Sequence, residues 1–261
     1  MALIGKLTGS RSITFTAIFA ALIAILDAIP IIPGFYSGIW DSWGFMLSPL
    51  VGIVLGPVYG AISVGLGGFV GHMIYFRDPL ELIFMLGAPV GAGIAGLVFQ
   101  QKWKSTFAIY SLLLLGYFIT PITWVLSLWG IWDVLLVFAL TLGLTILSIF
   151  SKSKTGILDS TSSKLVLGTV IGLELDILVR IFILIPGQFW WFFYGIPVEE
   201  LQLMWLVAGF ITPIKVIMAA IATVAIGKSL LKYFQVQKID SWDHLSTDEE
   251  IIDEEITKDK M

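Results

Sequence analysis

Three charged side chains interrupt a stretch of the sequence that is otherwise apolar enough to cross a bilayer. The stretch runs from Lys164 to Gly195, and the charges are Glu174, Asp176 and Arg180. A charge near the centre of a bilayer costs about 2.5 to 3.5 kcal/mol on insertion scales, so charges there either have a partner or line a functional cavity. We therefore predict that this stretch is a helix that forms one wall of a binding cavity.

The spacing of the charges predicts how they pair. Asp176 and Arg180 are four residues apart, so they share a helix face and can form an ion pair. Glu174 and Asp176 point about 200° apart around a helix, so they cannot face the same side. Lys215, in the last apolar stretch, lies at a depth similar to that of the acids. We expect one acid to pair with Arg180 and another with Lys215, and any charge left over to be available to a ligand. The alternative is a closed salt-bridge network that only fixes the packing.

The amino-acid composition indicates that these charges belong to a membrane protein. Of 261 residues, 57% are hydrophobic and 13% are charged, and the mean hydropathy is +0.95, whereas soluble proteins have about 25% charged residues. The chain has no cysteine and only two histidines, so disulfides and thiolate or histidine metal sites are not expected. It has no H-E-x-x-H motif and no defensible serine and histidine pair, so we expect no enzymatic activity. It also lacks the basic patch of a nucleic-acid-binding protein.

The apolar stretches predict an all-α fold, a polytopic membrane helix bundle. Stretches of the length that spans a bilayer, roughly 17 to 25 residues, fall at about 13–33, 80–99, 106–128, 132–150, 164–186 and 203–228. The region 42–76 is too long for one crossing and short for two. Proline ends or kinks a helix at the preceding residue, and Gly56-Pro57 interrupts this region.

Basic residues decide the topology. If 42–76 crosses twice, the chain has about eight spans, and every basic loop except the one with Arg77 falls on one side, as the positive-inside rule requires. We therefore expect a multi-pass protein of the cell membrane, surrounded by lipid, with both termini cytoplasmic. The membrane domain covers residues 1–239, and 240–261 form an acidic tail. We expect the tail to be solvated; the alternative is a short helix, N-capped at Ser246 or Thr247, that contacts a partner.

Three further features mark the predicted outer half and the first span. Tryptophans gather at predicted outer ends, as an aromatic mouth or as simple interfacial anchors: Trp40, Trp43, Trp124, Trp129, Trp132, Trp190, Trp191 and Trp205. His72 also lies near an outer end, as a ligand contact or as a hydrogen-bonded structural residue. In the first span Ala17, Ala21 and Ala24 predict a smooth face, for internal packing or for docking to another subunit.

Several short, small-residue motifs carry a resemblance to a known family. They are the alanine-faced first span, then VGIVLGPVYGAI, FVGHMIYF and GAPVGAGIAGLVF, and finally AGFITPIKVIMAAIATVAIGKSLLKYF. Over about residues 10–100 and 164–235 this order resembles the substrate-binding S component of an energy-coupling factor (ECF) transporter. S components have a core of six helices. Residues 106–150 depart from that pattern, because they predict an inserted antiparallel helix pair whose role the sequence does not give.

The resemblance implies a function. S components hold a small water-soluble ligand in their outer half and deliver it inward when docked to a T component and two ATPase subunits, so we expect uptake of a vitamin-like metabolite. The chain has no Walker sequence G-x-x-x-x-G-K-[ST], so we expect no cofactor in it and ATP hydrolysis by the partner subunits. Docking to the partners would use Ala17, Ala21 and Ala24.

The resemblance also implies a substrate site in the first outer loop and the later helices. By position it includes Tyr36, Trp40, Asp41, Trp43, Glu81, Arg180, Gln188, Trp190 and Lys215. His72, Glu174 and Asp176 complete the predicted site because of their charge and depth. The alternative function is an autonomous ion-coupled secondary transporter that uses Glu174, Asp176 and Lys215 as a proton or ion relay, although no internal repeat typical of such proteins is visible. The sequence does not identify the ligand.

Overall fold

The computed structural model describes residues 9–31, 42–76, 81–150 and 160–258, and it describes side chains as far as residue 233. Within these ranges the protein is an all-helical bundle, with one isolated antiparallel bridge between Pro30 and Ser42. The all-α part of the predicted fold class is therefore confirmed. Three residues of the predicted site lie outside the described ranges: Tyr36, Trp40 and Asp41.

The longer α-helices form the bundle, and short 3-10 helices lie in the connections between them. The α-helices are α1 (Gly9–Asp27), α2 (Ser48–Leu55), α3 (Pro57–Ile74), α4 (Glu81–Phe84), α5 (Gly87–Phe99), α6 (Trp103–Ile119), α7 (Trp132–Phe150), α8 (Thr161–Leu184), α9 (Phe189–Phe192) and α10 (Val198–Lys258). The 3-10 helices are η1 (Trp43–Met46), η2 (Pro121–Val125) and η3 (Leu128–Ile131).

Within the described residues, four helical segments are long and apolar enough to cross a membrane. They are Pro57–Ile74, Glu81–Phe99, Leu128–Phe150 and Val198–Tyr233. Large apolar side chains are exposed around the bundle, as with Ile13 at 68%, Leu112 at 69% and Ile221 at 66%, which suits a lipid environment. Lengths alone do not establish eight crossings, because the 8-residue helix α2 extends only about 12 Å, against about 30 Å for the hydrocarbon core.

The chain reverses direction at Gly56, where the sequence predicts a break. Gly56 has φ 84° and ψ 171°, a conformation that side chains disfavour. Helices α2 and α3 then pack against each other so closely that a Cβ added at Gly60 would lie 2.5 Å from the Cα of Gly52. The predicted interruption is therefore confirmed, and it produces a tight helical hairpin.

Helix α8 lies inside the bundle and packs against α5, α10, α7, α6 and α2. Its closest approach is to α5, where a Cβ at Gly91 would lie 2.6 Å from the carbonyl oxygen of Gly172, and a Cβ at Gly172 would lie 2.8 Å from that of Gly91. Small residues on both helices thus allow backbone contact without polar side chains. The predicted site helix is therefore the element around which the others are arranged.

Two predicted spans differ from the observed helices. The span predicted over 106–128 ends as a helix at Ile119, because Thr120 takes the extended conformation expected before a proline and Pro121 begins η2. The last span, predicted over 203–228, is longer in the structure, where α10 runs from Val198 to Lys258. The backbone of the predicted tail is therefore helical as far as Lys258.

Candidate functional site

A cavity of about 320 Å³ lies between α8 and the first half of α10. Its walls are mostly apolar and aromatic. Its polar and charged lining consists of Glu81, Asp176, Arg180, Tyr194, Thr212 and Lys215. A volume in the range of about 300–1,000 Å³, with apolar walls and a few polar groups, is typical of small-molecule sites.

A second, smaller cavity of about 30 Å³ adjoins the first. The two cavities share four of their lining residues: Phe45, Glu81, Asp176 and Arg180. The smaller one extends toward the ends of α1 and α3 and is also lined by Asp27, Ser42, Ser48 and His72. The two spaces therefore meet at the charged groups of α8 and α4.

Asp176 and Arg180 form the predicted ion pair on one turn of α8. The Nε atom of Arg180 donates to Oδ1 of Asp176 at 2.6 Å. Helix α5 leaves room for this pair because it presents glycines to it: a Cβ at Gly91 would lie 2.8 Å from the Cβ of Asp176, and a Cβ at Gly87 would collide with Oδ1 of Asp176. The pair is thus held against a bare backbone and faces the cavity.

Lys215 reaches the cavity from α10, across from this pair. Its Nζ atom lies 5.0 Å from the centroid of the Phe45 ring, which is cation–π distance. Phe45 follows the segment that contains the predicted lid, and its ring also stacks on Trp43 at 6.3 Å. An aromatic surface and a cation therefore occupy the same side of the cavity.

Glu174 lies on another face of α8, as its spacing from Asp176 predicts. It lines neither cavity, its side chain is 2% exposed, and its electrostatic neighbours are Asp133 and Tyr110. Within the described part of the chain, its Oε2 atom has no hydrogen-bond partner. The structure thus separates Glu174 from the other charges of the predicted site.

The remaining predicted site residues divide between the cavities and the packed interior. His72 is buried and lines the smaller cavity. Gln188 and Trp190 line neither cavity: Nε2 of Gln188 donates to the carbonyl oxygen of Ile185 at 3.1 Å, and Trp190 is buried in the apolar core. Trp43 lines neither cavity and stacks on Phe45, which lines both.

Sequence reasoning missed several residues that line the cavities. On the polar side they include Asp27, whose Oδ1 accepts from Oγ of Ser42 at 2.6 Å, and Thr212. On the aromatic side they include Phe45, Phe84 and Tyr194, whereas Trp205, which also lines the larger cavity, belongs to the tryptophans predicted as an aromatic mouth or as interfacial anchors. An acid at the end of an apolar helix was a usable signal for Asp27, but the phenylalanines give no signal in a sequence with 18 of them.

The inserted helix pair contacts α10 near Pro213, a proline inside that helix. Pro213 has no N–H to donate to the carbonyl of Gly209, and Nε1 of Trp132 donates to that oxygen instead, at 2.8 Å. Gly209 has no room for a side chain, because a Cβ there would lie 2.5 Å from the carbonyl oxygen of Trp129. The connection between α6 and α7 therefore supports the helix that presents Thr212 and Lys215.

The alanines predicted for docking do not share one environment. Ala17 and Ala21 are exposed, whereas Ala24 is 5% exposed. Ala24 packs against α3, where a Cβ at Gly71 would lie 2.7 Å from its carbonyl oxygen. Only Ala17 and Ala21 therefore lie on a surface that a partner could contact.

Comparison of the chain with family models, curated proteins and solved structures finds no match. The resemblance to ECF S components stays a prediction from the sequence motifs. The cavity and the charges that line it are the features of the structure that point to a function.

Proposed function

We propose that this protein is the membrane-embedded substrate-binding subunit of an uptake system for a small water-soluble, vitamin-like metabolite. Its main support is the cavity of about 320 Å³ that collects Glu81, Asp176, Arg180 and Lys215 among apolar and aromatic walls. Charges of both signs in an apolar span are expensive unless they serve a ligand, an ion or each other. The cavity supplies the space that a ligand needs.

The lining favours a particular kind of ligand. The rings of Phe45, Phe84 and Trp205 offer stacking surfaces, and aromatic rings stabilise planar apolar groups. Arg180 and Lys215 can orient an anionic or carbonyl group, since charge-assisted hydrogen bonds are the stronger ones. We therefore expect a ligand with a planar ring and at least one polar or charged substituent.

The proposal includes the topology and the partners. About eight crossings with both termini cytoplasmic would put the cavity in the outer half. Its charged lining comes from the start of α4, the C-terminal half of α8 and the N-terminal part of α10, which are the predicted outer parts of these helices. As in the S components that the sequence resembles, a T component and two ATPase subunits would supply ATP hydrolysis. Ala17 and Ala21 would belong to the docking face.

Purification of the complete chain from membranes of its own source cells tests this proposal. We expect a stoichiometric small molecule to be released on denaturation and ATPase subunits to co-purify with the chain. Lys215→Ala should lose the small molecule and still purify as a folded protein. The matched control is Lys228→Ala, on the same helix but exposed and outside the cavity; retention of the molecule by both variants would contradict the proposal.

One observation favours the alternative, an ion-coupled secondary transporter. Glu174 and Asp133 are buried acids that interact electrostatically, as expected for a proton or ion relay in a membrane. Uptake into proteoliposomes that contain only this chain distinguishes the two functions. Accumulation that requires an ion gradient and no ATPase subunits would establish the secondary transporter.

A further inference from the structure

A second group of polar side chains lies behind the ligand cavity, where α8 meets the inserted pair and α10. Its members are buried: Tyr110 on α6 is 0% exposed, Asp133 on α7 is 5%, Glu174 on α8 is 2% and Thr212 on α10 is 7%. Carboxyl groups are rare in such surroundings unless they have a specific use. The proposed binding of a metabolite does not use Glu174 or Asp133.

Hydrogen bonds satisfy Asp133 but not Glu174. Oδ1 of Asp133 accepts from the backbone N–H of Val134 at 2.9 Å, and its Oδ2 accepts from the hydroxyl of Thr212. The hydroxyl of Tyr110 donates to the carbonyl oxygen of Val134 at 3.0 Å. Both hydroxyl protons are therefore committed elsewhere, and Oε2 of Glu174 is left without a donor among the described residues.

Among the residues that the structure describes, the groups that face Glu174 provide no compensating positive charge. Helix α6 contributes Tyr110, which is neutral, and helix α7 contributes Asp133. The carboxylate of Asp133 adds a second negative charge near that of Glu174. Helices α2 and α5 contain no ionisable residue. The basic side chains Arg180 on α8 and Lys215 on α10 line the ligand cavity instead, where Arg180 pairs with Asp176 and Lys215 lies over Phe45.

We infer that Glu174 and Asp133 form a binding site for one monovalent cation, either a proton or an alkali metal ion. Two neighbouring carboxylates in an apolar interior repel each other, and one positive charge between them removes most of that cost. Carboxylate, hydroxyl and carbonyl oxygens are ligands for hard cations. Among the described residues no three His, Asp or Glu side chains converge, so the oxygen set of a divalent ion is not present.

The site is connected to the ligand cavity by Thr212. Its hydroxyl bonds to Asp133, and its side chain also lines the cavity. A cation that binds Oδ2 of Asp133 competes with this hydrogen bond. Occupancy of the cation site therefore changes the position of the Thr212 side chain in the cavity wall. The inference therefore gives a way for an ion to influence ligand binding, whichever energy source drives uptake.

Thermal unfolding of the purified full-length protein tests the inference in two arms. In the first arm sodium replaces choline at constant ionic strength and fixed neutral pH; in the second, pH falls in choline alone. At a concentration ten times the dissociation constant, the bound cation should raise the unfolding midpoint by about 3 to 5 °C. A shift in the first arm identifies an alkali metal ion, and a shift in the second arm alone identifies a proton.

Variants at Glu174 and Asp133 show whether the shift in the unfolding midpoint is caused by cation binding at these two residues. Glu174→Gln and Asp133→Asn should each reduce the shift to a small fraction of the wild-type value, whereas Glu199→Gln, at an exposed position in the first turn of α10, should keep it. Glu174→Gln removes a buried charge and retains the shape of the side chain, so we expect it to fold. A shift of wild-type size in both Glu174→Gln and Asp133→Asn, or no shift in wild type in either arm, would overturn the inference.

Discussion

Two faces of helix α8 each bury an acidic side chain, but the surroundings of the two acids are opposite. On the face of α8 toward the cavity, Asp176 is neutralised by Arg180 at 2.6 Å. On the face toward the inserted pair, Glu174 meets Asp133 and Tyr110, and its Oε2 has no hydrogen-bond partner in the described ranges. The two acids are separated by one residue in sequence. A charge inside an apolar span can therefore line a cavity or lie in the packed interior. Its neighbours in the folded structure determine which of the two occurs.

The largest effect should follow from breaking the pair on the cavity face. Arg180→Ala leaves Asp176 without its partner, so we expect loss of the bound small molecule and a loss of stability of about 3 to 5 kcal/mol. Retention of the molecule measures the first effect, and denaturant unfolding in detergent micelles measures the second. Arg180→Lys is the conservative control and should recover part of both.

A double variant sharpens this prediction. Replacing both partners, as Asp176→Asn with Arg180→Met, should restore most of the lost stability, because removing a whole buried pair is often neutral. It should not restore binding of the small molecule. Recovery of binding in the double variant would show that the pair only supports packing.

The next largest effect should come from the glycine surface beneath the same pair. Gly87→Ala puts a Cβ against Oδ1 of Asp176, and overpacking of this kind costs about 1 to 3 kcal/mol. Gly143→Ala is the matched control, because no atom lies within 4 Å of a Cβ there. The two unfolding midpoints, measured in the same detergent, should shift in opposite directions or differ clearly; equal shifts would contradict the tight contact.

A smaller effect should follow from the contact at the proline of α10. Trp132→Phe removes the donor to the carbonyl oxygen of Gly209, which should cost about 1 kcal/mol. Because α10 presents Lys215, ligand retention should also weaken. Trp191→Phe, at an exposed aromatic position, should change neither measurement, and an effect of the same size there would indicate only a general need for tryptophan.

The smallest effect on ligand binding should come from the other face of α8. Glu174→Gln removes a charge that lines neither cavity, so retention of the small molecule at saturating concentration should match wild type. In choline at neutral pH, where the inferred cation site is empty, its stability should be equal to that of wild type or higher, since an isolated buried charge is costly. Loss of the molecule in Glu174→Gln would end the distinction between the two faces.

The sequence predicts the organisation around α8 more successfully than it predicts the lining of the cavity. Helical periodicity fixes the angle between Glu174 and Asp176, and i, i+4 spacing fixes the ion pair with Arg180, because both depend on one helix. Contacts of Phe45 and Thr212 depend on how separate helices pack, and no local pattern encodes that. Gln188 and Trp190 were predicted by position alone and line neither cavity.

The inserted pair illustrates the same limit. Its two helices follow from hydropathy, but the end of α6 depends on Pro121 and was predicted nine residues too late. Its contact with α10 depends on a carbonyl that Pro213 leaves without a donor. Trp132 reaches this carbonyl across 77 positions of sequence, so only the three-dimensional arrangement reveals that the inserted pair supports the cavity.

Small-molecule mass spectrometry on three preparations tests whether the ligand binds at the cavity face of α8. Wild type, Arg180→Ala and Glu174→Gln are purified in parallel from the native membranes, denatured, and compared for released compounds. We predict one compound shared by wild type and Glu174→Gln and absent from Arg180→Ala. Equal amounts in all three preparations, or loss from Glu174→Gln alone, would contradict the assignment of ligand binding to the cavity face of α8.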